Sequence, residues 1–491
     1  METWWAVVYS LCALCMAWLW SWWKKPHPKF PPGPRGLPIV GMAPFLGPEP
    51  QITFKKLGEK YGPVMSVRMG MKDIVVLNTY EVINQAYVKQ ANEFSGRQDF
   101  FVYKQVTQDY GVMFKDYSDE YKRQKNFGTQ ALKRHGMSKA EMEKQILYES
   151  DFLMEKLRKQ SGSPINIVPV LYQSAGNVVA SIVLGKRFED NDPTFLLLLK
   201  TLKTIFANKK IADSIMMMML FENLRYIPPF STTNQTIKEQ LQILSDIFQK
   251  IVDDKNANFK QTDVNNFMDA FINEKRHGAG KIDSSFTDEQ LVVFARDIFS
   301  AGTETVSSNI GWAIICLLHH PKYKQLLKDE IKDCLGRDGQ PSLSIKDHLP
   351  MTCAFLQEVL RFRIVAPMVH HKTNSDAVLY GYVIPKGTQV TANLHGAAWD
   401  KETWPQPEVF NPERHIDEEG KFVFSPKIIA FSIGPRFCMG ESLGRAEVFL
   451  VFVSLLQHFD ISSVNGLPSL QGCSTNIVYT PQDFEIMLTP L

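Results

Sequence analysis

The chain has 491 residues, enough for one large core, and carries 54 Lys and Arg against 52 Asp and Glu. This near-neutral balance, without a long basic run, argues against nucleic acid as a principal partner. Seven cysteines, an odd and mostly scattered set, argue against a disulfide framework and favour a reducing compartment.

An apolar run opens the chain. Residues 4–23 carry no charge, are just long enough to cross the hydrocarbon layer, and have tryptophans at both ends. No basic region precedes the run and no small-residue cleavage site follows it, which disfavours a signal peptide. Because lysines follow the run and Glu2 precedes it, the sequence predicts a single-pass anchor at residues 1–23 with the main body in the cytosol.

The body of the chain reads as mainly helical. Residues 24–48 are rich in proline and predict a stiff linker rather than a helix. Residues 64–77 look like two short strands around a glycine turn, and residues 376–391 are again strand-like. Helical patterns dominate the stretch between these two regions. We therefore expect a mainly α fold with minor β-sheets, in one large domain at residues 49–491.

Residues 212–230 contain four consecutive methionines between two helical regions. Methionine side chains make an adaptable apolar surface. The segment predicts either an apolar substrate entrance that is inserted into a bilayer or ordinary packing into the core.

Small and polar residues occupy the middle of an otherwise apolar helical segment at residues 294–313. Ala301, Gly302, Glu304 and Thr305 are costly there unless they find partners. They predict either room for a ligand against the helix or a packing patch.

Glu358 and Arg361 are three residues apart, so a helix places them on one face within reach of an ion pair. Taken alone, such a pair is more typical of a solvated surface.

The strongest chemical motif is FSIGPRFCMG at residues 431–440. A cysteine thiolate can ligate a haem iron, and Cys438 lies just ahead of an apolar helical segment whose positive end favours the thiolate. Gly434 permits a turn, and Gly440 lets the backbone approach a flat macrocycle. Arg436 can pair with a haem propionate.

The pattern Phe-x-x-Gly-x-Arg-x-Cys-x-Gly resembles the haem-binding signature of the cytochrome P450 superfamily at all five fixed positions. A chance match in such a chain is on the order of one in ten thousand for equal residue frequencies. The resemblance covers essentially the whole chain and implies the cytochrome P450 fold. It also implies haem b held by Cys438, within a loop that includes Phe431 and Gly434, and O2 as co-substrate. Electrons would come from NADPH through a flavoprotein reductase, with cytochrome b5 as a further candidate donor.

The resemblance also assigns roles to the helical motifs. Ala-Gly-x-Glu-Thr is similar to the oxygen-activation motif of the superfamily, which implies that Thr305 holds oxygen and water and Glu304 supplies protons. Ala301 would then contact substrate. Three further residues resemble the Glu-Arg-Arg triad that locks the fold behind the haem: Glu358, Arg361 and Arg414. The residue after Arg414, His415, stands where an aromatic is usual.

Other positions depart from the family pattern. Tyr121 and Lys125 stand where the superfamily usually has Trp-x-x-x-Arg, whose arginine pins a propionate. A phenol and an ammonium can still donate to a carboxylate, but lysine lacks the bidentate fork of arginine. His371 resembles a further propionate contact, although His370 replaces the usual proline.

Basic side chains recur near Lys125, and a run of this kind is usually a solvated face. The family resemblance implies that this face receives the acidic reductase through complementary charge. The residues are Lys122, Arg123, Lys125, Lys133 and Arg134.

Within the animal microsomal branch, EVLRFRIVAPM and QGCSTNIVYTPQDF look most like segments of steroid 17-alpha-hydroxylase/17,20-lyase. That likeness implies that Val365 and Ala366 reach the substrate pocket. Asn208 is a candidate contact for a polar steroid end, although an exposed helical asparagine is the simpler interpretation. Drug- and xenobiotic-oxidising relatives share most of these motifs.

The resemblance, together with the predicted anchor, therefore implies a monooxygenase of the endoplasmic reticulum membrane that hydroxylates a C–H bond of a lipophilic substrate, with a steroid as the main candidate. A broad-specificity xenobiotic or fatty-acid monooxygenase is the alternative. Two other classes stay open: a haem-thiolate isomerase or dehydratase that acts without reductase, and a non-catalytic haem or lipid binder. NADPH dependence of turnover tests the first, and product formation across a broad substrate panel tests the second.

Overall fold

A computed structural model describes Trp4 and Trp5 and residues 24–98, 101, 104, 107–135, 139–278, 283–475 and 478–491. The anchor predicted at residues 1–23 lies outside the described residues, except for the two tryptophans. Helices make up most of the described chain and short strands the remainder of its regular structure. The prediction of a mainly α fold with minor sheets is confirmed.

The α-helices are numbered in chain order. They are α1 (Pro50–Tyr61), α2 (Tyr80–Asn84), α3 (Ala91–Phe94), α4 (Asp119–His135), α5 (Lys139–Lys159), α6 (Ile167–Leu184), α7 (Pro193–Phe206), α8 (Lys209–Leu220), α9 (Phe230–Asn258), α10 (Phe267–His277), α11 (Asp288–His319), α12 (Pro321–Leu335), α13 (Pro350–Phe362), α14 (Leu394–Ala398) and α15 (Glu441–His458).

Helix α11 runs through the centre of the protein and packs on α6, α9 and α15. It begins where the Thr287 side chain accepts a hydrogen bond from the backbone N–H of Gln290. At Gly302 the neighbouring helix α6 comes so close that an added Cβ would lie 2.6 Å from Val179 Cγ2. The glycine thus serves close packing of two helices, a role that the sequence interpretation left open.

The strands form small sheets beside the helices. Their bounds are β1 (Val64–Met69), β2 (Lys72–Leu77), β3 (Ile165–Asn166), β4 (Met368–Lys372), β5 (Ala377–Leu379), β6 (Tyr382–Ile384), β7 (Gln389–Asn393), β8 (Phe459–Ser463), β9 (Cys473–Ser474), β10 (Tyr479–Thr480) and β11 (Glu485–Pro490). The largest sheet has the order β1-β2-β7-β4, in which β2 and β7 are parallel and the other pairs antiparallel. Both strand regions read from the sequence are confirmed.

The proline-rich segment forms no helix, as expected, but it lies against the sheet. Ser66 in β1 donates from its hydroxyl to the Pro31 carbonyl at 2.8 Å and from its backbone N–H to the Pro32 carbonyl at 2.7 Å. Phe30 is buried in the core beneath the sheet. Much of this segment is therefore part of the folded body.

One helix among the described residues, Ile167–Leu184, is long and apolar enough to cross a membrane by composition. Most of it is buried inside the protein, packed against α11, which is the position of a core helix.

The methionine run also packs into the core. Met218 is fully buried in the main core, whereas Met216 packs on a smaller cluster under the first sheet. The core-packing interpretation of this segment therefore fits the structure better than an entrance.

Candidate active site

The loop before α15 presents the cysteine. Gly434 has φ +78°, and an added Cβ would lie 2.0 Å from the Tyr87 carbonyl oxygen, so a side chain is excluded there. A short 3-10 turn follows at Gly434–Arg436, and the backbone N–H of Cys438 then donates to the Phe431 carbonyl at 3.0 Å. The loop thus carries Cys438 to a point three residues before α15 begins.

The Cys438 thiol is held in a mixed electrostatic environment. Burial, together with the Glu441 carboxylate, raises its pKa, whereas the backbone N–H groups of Gly440 and Glu441 and the Lys125 ammonium act in the opposite direction. These donors favour a thiolate over a thiol wherever a cation is present to bind it.

A cavity of about 380 Å³ lies between this loop and helix α11. Cys438, Phe431 and Gly440 line one side. The α11 residues that line it are Asp297, Ile298, Ala301, Gly302, Thr305, Val306 and Asn309. The cysteine and the predicted oxygen-binding threonine therefore face one common space, of a size typical for small-molecule sites.

Thr305 and Glu304 occupy different faces of α11. The Thr305 hydroxyl lines the cavity and donates to the Ala301 carbonyl at 2.8 Å. Glu304 is not a lining residue. Its carboxyl lies beside the Tyr172 hydroxyl of α6 and accepts a long 3.5 Å hydrogen bond from Ser308. Burial raises the pKa of Glu304, so its carboxyl is poised to carry a proton, but on the flank of the helix.

Two buried cations and one half-buried cation cluster at one end of the cavity. Arg97, Lys125 and Arg436 all line it, and none of them forms an ion pair with a described carboxylate. Burial, followed by the charges of neighbouring cations, lowers the pKa of Lys125 to about 7 and that of Arg436 to about 9. Burial also lowers the pKa of Arg97. Such a cluster is unfavourable unless an anion joins it.

Two polar groups have a buried atom without a partner: Arg436, which lines this end of the cavity, and His371, which lies near Arg97 and Arg436 but does not line the cavity. Arg436 donates to the Ser95 and Lys115 carbonyls, but its Nη1 is buried and unpartnered. The His371 ring donates through Nδ1 to the Phe94 carbonyl at 2.9 Å, and its Nε2 is buried and unpartnered.

Burial and then the charges of Arg97 and Arg436 lower the pKa of His371 well below its usual value. Its neutral ring therefore offers a lone pair at Nε2, and it becomes a donor there only when an added anion favours the imidazolium.

Comparison with known proteins identifies the family. The sequence profile of cytochrome P450 matches residues 31–487. The chain belongs to the cytochrome P450 family. It is 31% identical over 491 residues to cytochrome P450 2C8 of Homo sapiens, covering 99% of both chains. It is 31% identical over 467 residues to cytochrome P450 2F5 of Gorilla gorilla gorilla, covering 94% of both, and 32% identical over 443 residues to cytochrome P450 2B2 of Rattus norvegicus, covering 89% of both.

The expected likeness to steroid 17-alpha-hydroxylase is not supported. The relatives above carry other names and match at nearly equal identity. The comparisons agree better with the broad-specificity alternative than with the steroid interpretation.

Cytochrome P450 monooxygenases bind haem through a cysteine thiolate and use O2, with electrons from NADPH through a reductase. The described residues fit such a group on three counts. The cavity has a cysteine on one wall, a side-chain-free Gly440 beside it, and unpaired cations where an anionic edge would lie. The unpartnered Arg436 Nη1 is matched to a propionate oxygen.

Arg97 is a candidate cofactor contact that the sequence analysis missed. Its side chain donates to the Met113 and His370 carbonyls and is held within the cation cluster. No local sequence pattern marks Arg97, because its role depends on contacts with segments that are distant in the chain.

The predicted triad forms a buried network. Arg361 donates to both carboxylate oxygens of Glu358 at 2.8 and 2.7 Å, and neither side chain has any exposed surface. Arg414 donates to Glu358 at 3.3 Å, and His415 contacts the other oxygen at 3.0 Å. His415 is thus a fourth member of the network, and the pair is not a surface pair.

The structure does not bring the predicted substrate residues together. Of the four, Ala301 lines the cavity, whereas Val365, Ala366 and Asn208 do not. Val365 is buried in the core. Asn208 is exposed and caps α8, accepting from the backbone N–H of Ile211 at 3.2 Å. The assignments of these three to the pocket are corrected accordingly.

The basic face near the cysteine is less charged than the sequence suggests. Lys122 pairs with Asp119 at 3.0 Å, and Arg123 pairs with Asp283 at 2.8 Å. Lys125 points inward and is buried. Lys133 is exposed, and the side chain of Arg134 lies outside the described residues.

Proposed function

We propose that this cytochrome P450 is a broad-specificity monooxygenase that hydroxylates C–H bonds of lipophilic small molecules, with Cys438 as the axial ligand. The observation that carries the proposal is the placement of Cys438 and Thr305 on one cavity with a cluster of three cations at one end. Haem bound there supplies the site at which O2 is reduced.

The chain's own residues would perform distinct tasks. Arg436 and Arg97 would hold the propionates, with His371 as a third contact when protonated. Tyr121 and Lys125 would lie beside the same propionate edge of the haem. Phe431 would pack beside Cys438, and Gly434 shapes its loop.

On the opposite wall, the Thr305 hydroxyl would accept a hydrogen bond from a water, and it would donate to dioxygen after its O–H turns from the Ala301 carbonyl into the cavity. Glu304 would supply protons from its position on the flank of the helix, where Ser308 donates a hydrogen bond to its carboxyl, rather than from within the cavity. Ala301 leaves space for the substrate next to Thr305.

Apolar contacts would bind the substrate. Above the cysteine loop, the α6 and α11 residues that line the cavity include Val179, Ile182, Val183, Ile298 and Val306. Such a wall selects for lipophilicity and shape more than for a particular hydrogen-bonding group. This agrees with a broad range of substrates, among which a steroid is one candidate.

The location and partners follow the microsomal relatives. We propose that residues 1–23 anchor the chain in the endoplasmic reticulum membrane, that residues 49–491 form the cytosolic catalytic domain, and that residues 24–48 connect the two while packing in part against the first sheet. NADPH–cytochrome P450 reductase would dock on the face that carries Lys133, with Lys122 and Arg123 exposed beside it and cytochrome b5 as a second candidate partner.

The decisive experiment is the carbon monoxide difference spectrum of the dithionite-reduced, detergent-solubilised protein, beside Cys438→His. A strongly red-shifted Soret band in the wild type that is lost in the variant supports Cys438 as the ligand. A well-folded wild type without bound haem contradicts the proposal. Product formation that requires NADPH and reductase then excludes an isomerase, and spectral shifts with steroids, fatty acids and planar xenobiotics rank the substrates.

A further inference from the structure

Two side chains of α4 contact the cysteine loop itself. The Lys125 ammonium donates to the Pro435 carbonyl and, at 2.8 Å, to the Phe437 carbonyl. One turn earlier, the Tyr121 hydroxyl donates to the same Pro435 carbonyl at 3.4 Å. These residues bracket the segment that leads directly into Cys438.

The ammonium is also in contact with the ring next to the cysteine. Lys125 Nζ lies 4.5 Å from the centroid of the Phe437 ring, a cation–π distance. The residue is only 7% exposed and has no ion pair with a described carboxylate. Two carbonyl oxygens and an aromatic face therefore replace water around a buried cation, and the charge is kept close to the thiol of Cys438.

The number of donors limits what else Lys125 can do. An ammonium has three N–H donors, and two of them are directed at loop carbonyls. One donor remains for an anion, so a bidentate grip on a carboxylate is impossible for this residue. Arg97 and Arg436 supply the forked donors at the same end of the cavity.

We propose that Lys125, assisted by Tyr121, is a positioning residue for the axial cysteine: it braces the Pro435–Phe437 turn and places a positive charge beside the Cys438 thiolate. This inference rests on the proposed function, since it requires Cys438 to ligate the iron. A nearby positive charge stabilises the thiolate and also favours the reduced, more electron-rich state of the iron. Lys125 would thereby keep the Cys438 thiolate bound when the iron is reduced, and it would raise the midpoint potential of the iron.

The test compares the full-length wild type with Lys125→Leu, Lys125→Arg and Tyr121→Phe. Lys260→Leu, at an exposed loop lysine, is the matched control for loss of one charge. Three quantities are measured on detergent-solubilised protein: haem content, the fraction of the carbon monoxide complex with the red-shifted Soret band, and the midpoint potential of the iron. Circular dichroism verifies folding.

In Lys125→Leu we expect the red-shifted fraction to fall in favour of the unshifted form and the potential to move downward, per haem that remains bound. Lys125→Arg keeps the charge and donors and should recover most of both quantities. Tyr121→Phe should shift the fraction in the same direction by a smaller amount, and Lys260→Leu should match the wild type.

A Lys125→Leu protein that binds less haem but keeps the wild-type band and potential would show that the lysine acts on a propionate only, and the inference would be wrong. If Lys125→Leu does not fold, an unchanged band in Tyr121→Phe together with a lowered midpoint potential in Lys125→Arg, which keeps the charge, overturns the inference. Failure of the proposed function looks different, because the wild type itself would then lack the shifted band.

Discussion

The Asp297 carboxylate of α11 accepts a hydrogen bond from the backbone N–H of Val112 at 2.9 Å. The same oxygen accepts from Met113 at 2.9 Å, and Gln290, two turns earlier in the helix, accepts from Gly111 at 2.8 Å. Val112 and Met113 line the cavity, so these bonds hold one wall of the site against the central helix. Burial raises the pKa of Asp297, and the two N–H donors counteract that effect.

Replacing Asp297 by Asn should loosen this wall. The amide keeps an acceptor oxygen but loses the charge that strengthens both bonds, at a cost of about 1–2 kcal/mol. We expect a lower unfolding midpoint and faster proteolytic cleavage near residue 111. Exposed Asp263→Asn is the control, and equal cleavage rates in the two variants would contradict the role given to Asp297.

The Glu358 network predicts an unequal response of its members. Glu358→Gln leaves the fully buried Arg361 without its counter-charge and should destabilise the protein by about 3–5 kcal/mol. His415→Phe restores an aromatic at its position and removes one contact, which should cost about 1 kcal/mol. The two variants are compared by the yield of folded, haem-containing protein and by its thermal midpoint. Equal losses of stability in the two variants would argue against a charge effect.

Thr305 and Thr303 provide a matched pair on α11. Both donate from the hydroxyl to the carbonyl four residues earlier at 2.8 Å, but Thr303 is buried in the packing and Thr305 lines the cavity. Thr305→Val should reduce product per NADPH by about tenfold or more and increase released hydrogen peroxide. Thr303→Val should leave that ratio near the wild-type value. An equal ratio of product to consumed NADPH in the two variants would contradict the role given to Thr305.

His395 predicts a sensitivity to acid. Burial, then the charges of Arg363, Lys55 and Arg361, lower its pKa to about 3. As the pH falls, His395 is therefore protonated in the unfolded chain before it is protonated in the folded protein. The protein loses free energy of unfolding from the usual histidine pKa downward, until the folded protein also takes up the proton near pH 3. At pH 5 the loss is about 2 kcal/mol.

His395→Phe keeps a ring to pack against Trp399, whose ring centroid lies 4.9 Å from that of His395, and removes the titration. We expect a flatter dependence of the unfolding free energy on pH between 7 and 5 than in the wild type. The exposed His348 is the control position, and a dependence as steep as that of the wild type in His395→Phe would refute the prediction.

Local patterns in the sequence specified the chemistry of this protein. The turn at Gly434, the hydrogen bond from Cys438 to Phe431, and the helix that begins at Glu441 all lie within a few residues of one another. The Glu358–Arg361 pair depends on helical spacing in the same way. Short-range geometry is set by backbone stereochemistry and helix periodicity, so it is readable before any tertiary contact is known.

Tertiary structure decided what surrounds that chemistry. Lys125 reaches a carbonyl 310 residues away, and Asp297 reaches a backbone N–H 185 residues away. Arg97 joins the cation cluster without any local signal, while Asn208 turns out to cap a helix at the surface. These placements depend on how close helices pack, for example at Gly302 against Val179, and such distances arise from the complementarity of side chains far apart in the chain.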